Sequence, residues 1–170
     1  MKKVSLSFIF SFFSLIIFCQ EEVKSFTVKY IEESIIADGA LDEPIWEFAE
    51  SANEFWEYFP LDSIQAREQS EIKMLYDDKN LYVAIKASSV GKNYSLQSLK
   101  RDFRGSGSDS FSLVFDTFND GTNAFLFGIN PYGVRREALI SNGGGDRRDF
   151  NLSWDVKWKG DAKMVILLQK

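Results

Sequence analysis

Histidine is absent from this sequence, and cysteine occurs once, at Cys19. Without imidazole, neither a Ser-His-Asp nor a Cys-His nucleophilic site can be assembled. Zinc sites that rely on imidazole or thiolate ligands are excluded with them. Carboxylate chemistry and oxygen-ligand metals such as calcium remain. A lone cysteine leaves no internal disulfide, so the core must hold the domain together, alone or with a metal. There is no glycine-rich phosphate loop, no internal repeat and no βαβ rhythm. A membrane-spanning helix needs about 20 apolar residues, and the long apolar run at residues 4–18 is shorter.

That run follows Lys2 and Lys3, and together they have the form of a secretory signal peptide. Residues 1–19 are expected to be removed, with cleavage after Cys19 leaving Gln20 first. A short membrane anchor is the alternative. Lipidation at Cys19 is disfavoured, because bulky Phe18 stands where a small residue is needed. The formal net charge is −5, and loss of Lys2 and Lys3 takes it to −7 (−5 − 2). An acidic exported domain does not attract phosphate backbones, so nucleic acid is not an expected partner. The expected location is the periplasm, the outer membrane or the outside of the cell.

The 170 residues suffice for one domain of ordinary size. Hydrophobic residues make up 45% and aromatics 15%, a load that argues for a packed core over disorder. Residues 26–30 alternate as a first strand. Asp38-Gly39 is a turn, after which Asp42 is placed to cap a short helical segment over 43–50. Pro44 suits its first turn, and Glu43 and Glu47 suit its positive end. Ile45 then shares a face with Phe48 or Ala49.

Residues 71–77 alternate with Ile72, Met74 and Tyr76 on one side and Lys73 and Leu75 on the other. Residues 81–87 alternate with Leu81, Val83, Ile85 and Ala87 inward, and 77–80 form the loop between. Phe111, Leu113 and Phe115 share the face of a further strand. Asn119-Asp120-Gly121 is a strong turn signal, and residues 116–123 fail the EF-hand pattern because Phe118 and Phe127 fall on ligand positions. Phe125, Phe127 and Ile129 line the next strand, 130–133 turn, and 134–140 alternate again. Residues 143–145 form a glycine loop, 154–158 and 163–168 read as two late strands, and 92–102 read as a long loop. Short alternating strands separated by turns predict an all-β protein, an antiparallel β-sandwich of jelly-roll kind with one short N-terminal helical segment.

Three motifs stand out in order. The first is Asp38-Gly39-Ala40-Leu41-Asp42-Glu43-Pro44-Ile45-Trp46. Phe55, Trp56, Tyr58 and Phe59 follow, then Tyr76-Asp77-Asp78-Lys79-Asn80-Leu81-Tyr82-Val83. With Trp154-Asp155-Val156-Lys157-Trp158, this order and spacing resembles the family 9 carbohydrate-binding module. The closer likeness is to the version at the N-terminus of large proteins of Bacteroidetes-type bacteria, and it covers about residues 34–160. The resemblance implies a non-catalytic β-sandwich over residues 20–170, associated with polysaccharide breakdown as an accessory to glycoside hydrolases. It also implies a core role for Trp46, a final strand that looks truncated or altered at 161–170, and a large C-terminal region expected in the longer relatives and not found in this sequence.

The residues expected to bind a polysaccharide or oligosaccharide are Trp56, Tyr58, Arg101, Trp154 and Trp158. Flat aromatics stack on the apolar C–H faces of sugars, and Arg101 would donate hydrogen bonds to hydroxyls. Core packing is the competing role of the tryptophans. Asp38 and Asp42 are the candidate ligands of a structural calcium, with turn formation and capping as their alternative work. Sugar-binding members carry an aromatic shortly before the equivalent of Asp109-Ser110, where this chain has Arg104-Gly105-Ser106-Gly107-Ser108. That difference favours a second reading: a docking module that binds no sugar and sits on an outer-membrane-associated C-terminal region. A glycosidase would need two carboxylates about 5–9 Å apart, and no motif places such a pair.

Overall fold

The computed structural model describes residues 25–89 and 94–162. The expected signal peptide, the start of the expected 92–102 loop and the expected strand at 163–168 lie outside the described residues. No helix among the described residues is long and apolar enough to cross a membrane. The protein is all-β, with two four-stranded sheets that are almost entirely antiparallel.

The first sheet is built around β3 (Ser70–Tyr76) and β4 (Leu81–Ala87), which pair along their whole length with Leu75 opposite Tyr82. β1 (Lys29–Tyr30) and β2 (Ser51–Ala52) line the other side of β3. The pairing of β1 with β3 is parallel, against the expectation of a wholly antiparallel sheet, and β1 is shorter than the predicted 26–30. The β3–β4 turn is closed by Asp77, whose carboxylate accepts from the backbone N–H of Lys79 (2.7 Å) and Asn80 (2.6 Å). Asp and Asn favour such turns because their side chains satisfy backbone groups locally.

The predicted helical segment is a 3-10 helix, Pro44–Phe48. Asp42 does not cap it. Glu43 occupies the capping position with no side-chain cap bond, and its carboxylate accepts from the Trp46 indole instead (3.1 Å). Trp46 is 6% exposed and packs with Ile31, Ala49, Leu75 and Ala84, flanked by Ile35, Ile45 and Tyr82. Ala49 is therefore the companion of Ile45, while Phe48 is exposed.

This cluster corrects the inward face of β4. The buried side carries Tyr82 and Ala84, and Leu81 and Ala87 are exposed. β4 is apolar on both faces, so alternation alone does not choose between them. The choice is made by Trp46, whose backbone carbonyl accepts from the Lys73 ammonium (3.1 Å) on the Leu75 side of β3.

The second sheet runs β5 (Phe111–Phe115), β6 (Ala124–Ile129), β7 (Arg135–Ile140), β8 (Phe150–Asn151). Residues 116–123 form the β5–β6 turn as expected, with Asp116 and Asp120 accepting from the loop's own N–H groups. At the β6–β7 turn the buried Asn130 accepts from the N–H of Tyr132 and Val134 (3.0 Å each). β8 was not foreseen. It is led in by a capping box between Asp146 and Asp149, and it pairs with Leu139 and Ile140. Ala124, Leu126, Ala138 and Ile140 form a buried cluster under Phe150 on one face of this sheet. The opposite face carries Phe125, Phe127, Arg135 and Glu137 and positions the candidate site.

Candidate functional site

The exposed aromatics lie between β2 and β3. Phe55 and Ala66 are joined by a backbone hydrogen bond (2.8 Å), as are Glu57 and Ile64 (3.0 Å), and Trp56 bridges to Gln65. Gln69 fixes the base of this loop: its amide accepts from Phe55 N–H (3.0 Å) and donates to the carbonyls of Phe55 (3.0 Å) and Ala66 (2.7 Å). The result is a small hairpin with an apolar tip. Tyr58 is 97% exposed, Phe59 84% and Trp56 51%, with Leu61 and Ile64 also uncovered. Burial is the usual fate of such rings, so their exposure on a braced loop is the unusual feature of the first sheet.

The other expected residues gather on the second sheet. Residues 154–162 run over the face of β6, although no strand forms there and the predicted ladder at 154–158 is absent. Side chains hold this strap. Trp154 lies against Phe125 (5.2 Å between ring centres) and Phe127 (6.0 Å), and Trp158 meets Phe127 edge to face (5.5 Å). Both tryptophans meet Phe127, which is their shared neighbour.

Glu137 of β7 organises this end of the strap. It is 1% exposed; Oε2 accepts from the Trp158 indole N–H, and Oε1 is in ion-pair contact with the Arg101 guanidinium without a hydrogen bond of its own. A buried carboxylate must be paired and hydrogen-bonded to be tolerated. Arg101 also pairs with Asp155 of the strap (2.6 Å). Asp102, in a left-handed conformation, accepts from the N–H of Glu137 (3.2 Å). Burial raises the Asp102 carboxyl above its ordinary pKa, with Arg101 opposing the shift. Arg135 donates to the carbonyl of Trp158, and its guanidinium lies over the indole, 5.4 Å from the ring centre.

These groups border an open cleft of about 420 Å³ lined by Arg101, Arg135, Asp155, Val156, Lys157 and Trp158. The arrangement supplies guanidinium donors beside an immobilised indole. Trp158 has little ring left for a sugar, since Arg135 covers it and Phe127 meets it. Trp154 is similarly engaged by two phenylalanines. Arg101, Trp154 and Trp158 thus form one group, and Trp56 and Tyr58 a separate one on the other sheet's loop.

The glycine loop that replaces the expected aromatic has a packing role. A side chain on Gly105 would strike the Arg136 guanidinium, and one on Gly107 would strike Gln97. Arg136 is half-buried and stacks on the buried Phe103 (5.8 Å). Burial lowers its pKa, with Asp102 opposing.

The two calcium candidates are both exposed. One Asp38 oxygen accepts from the N–H of Ala40 (2.9 Å), closing the turn in which Gly39 takes a positive φ of 78°. Among the described residues no group of three or more acidic side chains is assembled to hold a metal. Calcium takes about six to eight oxygens, so a site at Asp38 and Asp42 would draw most of its ligands from backbone carbonyls and water.

Sequence reasoning passed over Gln69, Arg135 and Glu137. The signal for the last two was legible: Arg135 and Glu137 are two apart in a strand, and so share a face with the strap's partners. No model of a known protein family, no curated protein and no solved structure matches this chain.

Proposed function

We propose that this chain is an exported, non-catalytic carbohydrate-binding domain whose two sheets belong to a β-sandwich of jelly-roll kind. The observation that carries the reading is the aromatic tip at Trp56, Tyr58 and Phe59, uncovered and braced by Gln69. Flat rings open to solvent are what the C–H faces of sugars stack upon, and a loop braced at its base loses less freedom on binding than an unbraced one. The order of motifs along the sequence supports the same reading, with an accessory role in polysaccharide breakdown. No step of catalysis is assigned to the chain, and calcium is given no part in binding.

The test is a glycan array followed by calorimetry. A plant or microbial oligosaccharide should bind, and Trp56→Ala or Tyr58→Ala should weaken it at least several-fold with the melting temperature unchanged. An array without any bound glycan would end the carbohydrate reading. A second reading, a docking module for an outer-membrane-associated partner, is favoured by Leu61 and Ile64. These aliphatic side chains are exposed beside the rings and have no use in sugar stacking. It predicts that the same substitutions leave every glycan measurement unchanged.

A further inference from the structure

We infer that the cleft beside Trp158 is a subsite for a carboxylate carried by an acidic saccharide, a uronic acid unit. The saccharide part rests on the carbohydrate reading; the carboxylate part rests on the cleft itself.

The first argument is charge. The chain is acidic, at −5, yet the cleft is lined by Arg101, Arg135 and Lys157 against a single carboxylate, Asp155. Arg101 is already paired with Glu137 and Asp155. Arg135 is not: among the described residues its guanidinium has one backbone carbonyl and an aromatic ring, and no carboxylate within ion-pair reach. Lys157 likewise has no acidic partner among the described residues. Arg135 is therefore a part-buried cation without a carboxylate at the wall of an open cleft, and the exposed Lys157 stands in solvent at its rim.

The second argument is preorganisation. Arg135 is fixed from β7, from the Trp158 carbonyl and from the indole face, and the indole is fixed by the buried Glu137 and by Phe127. A planar guanidinium with free N–H groups matches the two oxygens of a carboxylate, and a rigidly held one gives up little entropy on binding. The third argument is size. A volume of about 420 Å³ lies within the usual range of small-ligand sites, about 300–1,000 Å³. The exposed Lys157 would add a screened, longer-range attraction at the rim. In this arrangement Glu137 is a positioning residue, and Arg135 is the group that touches the ligand.

The experiment follows the tryptophan indole N–H signals of the whole chain by ¹⁵N NMR while galacturonate, galactose or acetate is added. Galacturonate should move the Trp158 signal saturably, and galactose and acetate at equal concentration should not. Arg135→Gln should weaken the galacturonate effect about tenfold or more, the scale of a lost charge-assisted hydrogen bond. Lys157→Gln, on an exposed side chain that leaves the fold intact, should weaken it about two- to threefold. It should also flatten the dependence on added salt, since screening shortens to about 3 Å at 1 M.

Equal shifts from galactose would overturn the carboxylate assignment and leave the carbohydrate reading standing. Equal shifts from acetate would remove the saccharide from the proposal. An unmoved Trp158 signal overturns the subsite outright. If Trp56 still responds to a neutral glycan in that case, the failure belongs to the cleft alone; if no saccharide acts anywhere, the carbohydrate reading falls with it. Should Arg135→Gln unfold, Lys157→Gln decides: unchanged affinity and unchanged salt dependence would sink the proposal.

Discussion

The Tyr82 hydroxyl donates to the Asp77 carboxylate at 2.6 Å, tying the first residue after β3 to the second residue of β4. This bond gives the second tyrosine of the hairpin motif a role in the turn. Tyr82 also packs against the Trp46 cluster, so one side chain joins the turn to the core. Together with the bonds from Lys79 and Asn80, it holds the Asp77 carboxyl well below the usual carboxylate range.

Acid sensitivity should follow from that bond. The folded pKa of Asp77 is depressed, so its contribution is complete above the unfolded value of about 3.8 and is lost as pH falls below it. Tyr82→Phe removes the largest cause of the shift. Titration of the Asp77 carboxyl by NMR should then show its pKa rising toward the ordinary value, and melting curves should lose part of their steep fall below pH 4. A titration identical to wild type would refute the assignment.

Glu137→Ala should be among the most damaging substitutions. It takes one of two carboxylate partners from the exposed Arg101, which keeps Asp155, and removes the acceptor of the Trp158 indole. Leaving the part-buried indole N–H without its acceptor costs about 1–3 kcal/mol. Urea unfolding measures it, and a loss below about 1 kcal/mol would mean that water replaces Glu137 easily.

The aromatic side chains should separate into two kinds. Trp46→Ala is expected to cost about 3–5 kcal/mol through the cavity left in the first core. Tyr58→Ala should lie within about 0.5 kcal/mol of wild type, because its side chain touches solvent on nearly every side. Thermal melts of the two variants side by side decide the matter.

Gly128→Ala tests the packing of Arg136 beneath β6. The added methyl would lie 2.7 Å from Arg136 Cγ and 3.0 Å from the Ser112 hydroxyl. Overpacking of this kind costs about 1–3 kcal/mol. A variant as stable as wild type would show that Arg136 can leave its place freely.

A calcium site at Asp38 and Asp42 would have to form around a turn in which Asp38 already gives one oxygen to the N–H of Ala40. A ligand that binds the folded state raises its melting temperature by mass action. If calcium binds the Asp38–Asp42 turn, melting in millimolar calcium should lie above melting in EDTA, and coinciding curves would remove calcium from the fold.

Much of the fold can be read from local chemistry. Asp77 and Asp120 bind their own loops, so those turns are visible in the sequence. Trp46 is visible as core because a motif places it just after a helix-starting Pro44. The face of β4 is not, since Tyr82 and Ala84 compete with Leu81, Val83 and Ile85 and only the docking of Trp46 decides. The spacing of Trp154 and Trp158 predicts a shared face and says nothing of a ladder partner, and none forms. The cleft escaped because Arg101 and Glu137 lie far apart in the chain. Nor does composition tell a buried aromatic run from an exposed one, as at Trp56 and Tyr58.

The strap has one more consequence. Within residues 155–161 no backbone N–H is given to a backbone carbonyl among the described residues, while the Trp158 indole is locked onto a buried carboxylate. Deuterium uptake should therefore split within single residues. The backbone amides should exchange quickly, as those of an unpaired loop do, and the Trp158 ring proton should exchange slowly, at a rate set by wider opening of the second sheet. A segment without ladder bonds would then report on the stability of the layer beneath it.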